Sequence, residues 1–100
     1  HEMTTADEWR NDRTRSMFEA ILSLEDVDEA AGFFRDLCTL AELEAMSQRW
    51  QIVQLLDRGL PYREIAEQTG SSTATVTRIN QWLHHGAGGY RLALDRLAVG

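Results

Sequence analysis

The side chains best placed to do chemistry in this 100-residue chain are hydroxyls and guanidiniums, gathered in PYREIAEQTGSSTATVTRINQWL, residues 61–83. No Asp or Glu occurs from Gly70 through Leu83, although the whole chain carries a formal charge of −6. Ser71, Ser72, Thr73, Thr75 and Thr77 offer short hydroxyls, Ala74 offers a bare methyl, and Arg63 and Arg78 bring cations. Such a set suits close contact with a polyanion. Hydroxyls donate to phosphates or bases, methyls touch thymine, and the free N–H groups of a helix's first turn favour phosphate. Arg63 is placed to reach a guanine edge or the DNA backbone.

These groups face outward together only if other residues turn inward. Two short helices meeting near a right angle need a small residue at their crossing, and Ala66 supplies it. A tight turn needs a residue that tolerates positive φ, and Gly70 stands four positions later. Val76 and Ile79, six and nine residues after the glycine, are spaced to pack the second helix on the first, and Ile65 joins them. Ala66, Gly70, Val76 and Ile79 together make the spacing of a DNA-binding helix-turn-helix, and all four are expected to be buried together. The competing reading is a capped helical hairpin, an interaction module that binds a protein partner and no nucleic acid. The exclusion of acids favours DNA.

The rest of the chain must carry this unit. Thr5-Ala6-Asp7-Glu8 has capping-box spacing, opening a first helix with Trp9, Met17, Phe18, Ile21 and Leu22 on its apolar side. Its charged first half is expected to fray. A second helix is predicted from Asp26 to Leu37, with Ala30, Ala31, Phe33, Phe34 and Leu37 inward and Gly32 as a weak point. Thr39-Leu40-Ala41-Glu42 is another capping box. It starts a third helix with Leu40, Leu43, Met46, Trp50, Val53 and Leu56 at three- and four-residue steps. Gly59 stops it, and Pro61 sets up the next helix. Helices over Tyr62–Thr69 and Thr73–His84 follow, then the connector HHGAGG and a last helix with Tyr90, Leu94 and Leu97 on one side. The fold class is all-α, a single domain: an N-terminal helix (1–24), dimerisation helices (25–58), the helix-turn-helix (59–84) and a C-terminal helix (85–100).

Composition narrows the function. Residues 1–58 hold 6 Arg against 13 acids and residues 59–100 hold 4 Arg against 3, so the acidity lies in the first part. Overall acidity disfavours indiscriminate polyanion binding and leaves room for a local DNA-facing surface. No apolar run approaches the ~18 residues of a membrane span. The single cysteine, Cys38, has no internal partner, which points to the cytoplasm and to a small buried hydrophobe. His1-Glu2 ahead of Met3 is given no functional weight.

From LCTLAELEAMSQRWQIVQLLDRG through TATVTR the chain resembles the tryptophan-repressor superfamily, in particular its TrpR-like YerC/YecD branch. The resemblance covers roughly residues 35–97. It implies an intertwined homodimer bound to double-stranded DNA, repressing transcription, in which two chains share one core. Tryptophan repressors hold their ligand between two arginines, with a threonine and a serine serving its polar groups. Arg49 in SQRWQIV and Arg78 in TVTR match the arginines, and Thr39 matches the threonine. The glycine after the second arginine is Ile79 here, and the serine position is Trp82. Both changes are expected to fill the cavity from within, leaving a vestigial pocket that does not take free tryptophan; any other small-molecule effector stays open. Arg63, Ala74, Thr75 and Thr77 match DNA-contact positions, while Thr73 and Ala66 depart.

Several residues carry alternatives. Arg49 could instead pair with Glu42, Glu44 or Asp57 on its own helix. Trp50 reads as core, and Trp82 as core or cavity plug. His84-His85 point about 100° apart on a helix with no acid or Cys to complete a metal site. GAGG lacks the Lys-Ser/Thr of a phosphate loop. With no nucleophile–base pair, neither an enzyme nor a cofactor or metal is expected.

Overall fold

In a computed structural model, residues 8–99 are described. They form α1 (Asp12–Leu22), α2 (Val27–Leu37), α3 (Leu40–Asp57), α4 (Tyr62–Thr69), α5 (Thr73–His85) and α6 (Gly89–Val99), with no strand among the described residues. The chain divides into two compact units, one ending at Leu43 and one starting at Glu44.

In the first unit, α1 starts at a different cap from the one expected. Residues 5–7 of the Thr5–Glu8 box lie outside the described residues, and the helix opens at Asn11. Its side chain accepts from the amides of Arg13 (3.0 Å) and Thr14 (3.1 Å), while the Thr14 hydroxyl accepts from the Asn11 amide (3.0 Å). The sequence pattern missed it because Thr stands where Glu or Gln is usual. α2 opens where expected, on Asp26, which accepts from the Glu29 amide at 2.8 Å. Neither α1 nor α2 contains a buried residue. Phe18, Leu22, Val27 and Leu37 are exposed, and Phe33 and Phe34 stack edge to face, half-buried.

Gly32 is exposed in the middle of α2, and a Cβ there would meet nothing within 4 Å. Gly32→Ala is therefore expected to stabilise the protein by about 1 kcal/mol through helix propensity, read as a higher midpoint in denaturant. A loss of stability would mean that this face is closely packed against another chain.

The second unit holds the core. Ile52, Val53 and Leu55 of α3, Ile65 and Ala66 of α4, and Val76, Ile79 and Leu83 of α5 are buried together. Trp50, Leu56, Leu60, Tyr90 and Leu94 pack around them. At about 1.5–3 kcal/mol per fully buried large aliphatic side chain, this cluster is the main support of the helix pair α4–α5. The predicted stripe on α3 therefore needs correcting: of its members only Val53 is buried, and Leu40 is exposed. From Trp50 onward α3 is apolar on two sides, and Ile52 and Leu55 take the side that meets α4 and α5. On α6, Tyr90 and Leu94 pack on the core as expected, whereas Leu97 faces solvent.

Two long-range polar contacts fasten the frame. Gln48 Nε2 on α3 donates to the Thr69 carbonyl at the end of α4 (2.8 Å). Arg91 on α6 donates to Asp57 at the end of α3 (2.8 Å) and reaches Asp95 (3.4 Å). The Asp57 hydrogen bond pushes the Arg91 guanidinium further above its already high ordinary pKa. A cation whose folded pKa is raised contributes below its unfolded value and is lost only as pH rises through the folded one. For Arg91 that window lies beyond ordinary buffers, so its charge is constant there.

Candidate nucleic-acid interface

The geometry of the α4–α5 pair follows from one residue. Gly70 ends α4 at φ 72°, ψ 24°, in the left-handed region. Its amide (2.9 Å) and that of Ser71 (3.1 Å) both donate to the Ala66 carbonyl. This closure satisfies an otherwise orphaned helix carbonyl and ends α4, and α5 begins after three residues. Gly70 itself is exposed. It contributes conformation, and the burial expected of it is provided by Ala66 (8%), Val76 (0%) and Ile79 (4%). Because a Cβ at Gly70 would meet nothing, Gly70→Ala is expected to cost only the left-handed strain of about 1–2 kcal/mol, measured by thermal unfolding.

α5 then starts on Ser72, whose Oγ accepts from the Thr75 amide at 3.1 Å. With Val76, Ile79 and Leu83 inward, Ser72, Thr73, Ala74, Thr77 and Arg78 are exposed. Thr75 is half-buried, its hydroxyl engaged by the Ser72 hydroxyl (3.1 Å) and Arg78 Nη2 (3.4 Å). The Thr77 hydroxyl donates to the Thr73 carbonyl at 3.0 Å, leaving its lone pairs and methyl outward. That is a surface of acceptors, methyls and one guanidinium on a helix N-terminus. It can accept from base amino groups, touch thymine and bind phosphate.

Ser71 is the exception among the candidates. It is half-buried, its hydroxyl bonded to that of Thr69 at 2.9 Å, and it serves the turn. Arg63 stands exposed in the first turn of α4. From Gln68 through Leu94 there is no acid at all, a longer stretch than the turn and α5 require.

The residues expected to form a vestigial pocket are only partly brought together. Thr39 belongs to the first unit, where it caps α3: its hydroxyl accepts from the Glu42 amide (3.1 Å) and Glu42 Oε1 accepts from the Thr39 amide (2.8 Å). Arg49 is exposed and forms no ion pair with Glu42, Glu44 or Asp57; Glu42 is engaged in that cap and Asp57 by Arg91. Ile79 lies in the core. Trp82 is neither core nor plug within this chain, since it is 63% exposed. It lies beside Arg78, Gln81 and His85 around a depression of about 250 Å³. Trp50 packs at the edge of the core with its ring 6.3 Å from that of Tyr90. Cys38 is half-buried. No helix among the described residues is long and apolar enough to cross a membrane, and no group of three metal-ligating side chains occurs among them.

Residues 12–98 match the family of the Trp repressor protein. The chain is 40% identical over 91 residues to the uncharacterized protein YerC of Bacillus subtilis (strain 168), covering 91% of this chain and 88% of that protein. A Trp operon repressor homolog of Haemophilus influenzae is 42% identical over 52 residues, about half of each chain (51% and 52%). A solved TrpR-like protein of Eubacterium eligens superposes with a TM-score of 0.87 at 41% identity, over 92% of this chain and 95% of that one. A match spanning nearly the whole chain, with the helix pair inside it, is sufficient: the chain belongs to the Trp repressor family.

Proposed function

We propose that the protein is a DNA-binding transcriptional regulator, acting as a homodimeric repressor in the cytoplasm and not as an enzyme. One observation carries the reading. The buried seam of Ala66, Val76 and Ile79, turned by Gly70, leaves an acid-free row of Ser72, Thr73, Ala74, Thr77 and Arg78 in solvent. Such a row at a helix N-terminus fits the major groove. Dimerisation is supported by the first unit, where α1 and α2 bury nothing fully and Phe18, Leu22, Val27 and Leu37 remain exposed. A second copy would cover such a surface.

Selection of bound sequences from random duplex DNA tests this reading. The expected result is a palindrome with half-sites about one turn, roughly 34 Å, apart. Recovery of no enriched sequence would contradict it.

The ligand candidates point away from tryptophan. Ile79 occupies the core where a glycine would leave space, and Trp82 replaces a serine hydroxyl with an indole. Calorimetric titration with tryptophan is expected to give no binding heat, and DNA affinity is expected to be the same with and without it. A tight tryptophan isotherm would refute the vestigial pocket.

A further inference from the structure

The outward side of α5 does not end at Arg78. Ala74, Arg78, Gln81 and His85 follow at steps of four, three and four, which places them in one line along the helix. All four are exposed, on the side opposite Val76, Ile79 and Leu83. The eleven steps from Ala74 to His85 span about 16 Å of helix. We propose that the DNA contact of α5 runs this whole length, with Gln81 and His85 joining Arg78 against the sugar–phosphate backbone. This rests on the DNA-binding reading above and adds residues to it that the helix-turn-helix spacing does not name.

Three observations support the longer contact. Arg78, Gln81 and His85 border one shallow depression, with Trp82 as its wall, so they present to a common occupant. No acid lies from Gln68 through Leu94, which keeps α5, its connector and the start of α6 free of charges that would repel phosphate. Of the acids that flank this stretch, Asp95 is bonded by Arg91, and Glu67 stands on α4, not on α5. The helix dipole alone accounts for histidines at the C-terminus of α5. It does not account for an amide at Gln81 or for an acid-free connector. Amides, guanidiniums and imidazoles are common donors to phosphate oxygens.

The test uses the full chain and a duplex recovered by selection, with affinity followed between about 50 and 200 mM salt. Gln81→Glu and His85→Glu are each expected to weaken binding about tenfold or more at the low-salt end. His85→Lys, a favourable change at a helix C-terminus, is expected to strengthen binding and to steepen the log–log salt dependence by about 0.9 per half-site. Circular dichroism establishes that each variant is folded, and the lysine variant decides the matter should a glutamate variant unfold. Wild-type affinity and salt slope in all folded variants would overturn the longer contact while leaving the reading by Ser72 through Arg78 standing. A wild-type chain that binds no duplex would overturn both.

Discussion

Thr77→Glu is expected to weaken DNA binding by about 100-fold or more while leaving the fold unchanged. Thr77 is exposed on α5, and its only described side-chain bond is to the Thr73 carbonyl one turn back. Glutamate is a better helix former than threonine, so no structural loss follows. Its carboxylate would enter a groove walled by phosphates, where like-charge juxtaposition costs several kcal/mol. At about 1.4 kcal/mol per factor of ten, two such penalties in a dimer exceed two decades. Arg63→Ala is a milder companion, expected to cost about 1–3 kcal/mol if it reads a base, or to lower the salt slope by about one per half-site if it holds phosphate. Electrophoretic or fluorescence titration at two salt concentrations separates these outcomes. Unchanged affinity for Thr77→Glu would place the DNA elsewhere or nowhere.

Ile65→Ala is expected to cost about 2–5 kcal/mol of stability. Ile65 is fully buried where α4 meets α3 and α5, among the largest fully buried side chains of the core. Domains of this size hold only about 5–15 kcal/mol in total, so the variant is expected to lose much of its cooperative unfolding transition. DNA binding would fall with it, because α5 is held by the same cluster. Chemical denaturation with a far-ultraviolet readout measures the effect. A cost below about 1 kcal/mol would mean that the helix pair is supported from outside this core, for example by a second chain.

What was legible in the sequence was what is local. The α4–turn–α5 unit follows from residues within fourteen positions of one another, each with its own physical requirement: Ala66, Val76 and Ile79 are buried as expected, whereas Gly70 makes the left-handed turn in solvent. The cap on α3 and the end of α2 were readable for the same reason. Non-local choices were not. α3 carries apolar residues on two sides of its second half, and periodicity alone could not say that Ile52 and Leu55 would be buried ahead of Leu40 or Met46. Nothing in the pattern links Asp57 to Arg91, or Gln48 to the carbonyl of Thr69, since those partners meet only after the chain folds back. Trp82 misled because an indole is usually placed inside, whereas its position on α5 turns it to solvent. The exposed row of Ser72, Thr73, Ala74, Thr77 and Arg78 was legible as a surface. Ser71 is half-buried beside it, with its hydroxyl bonded to that of the neighbouring Thr69, a pairing that spacing does not show.

The most direct measurement is a comparison of backbone amide chemical shifts of the isotopically labelled chain with and without its selected duplex. Perturbations are expected to concentrate on Arg63 and on Ser72 through Arg78, and to be small across Val27–Leu37. Perturbations confined to α2, or none at saturating duplex, would contradict the claim that the acid-free side of α5 is the surface that meets DNA.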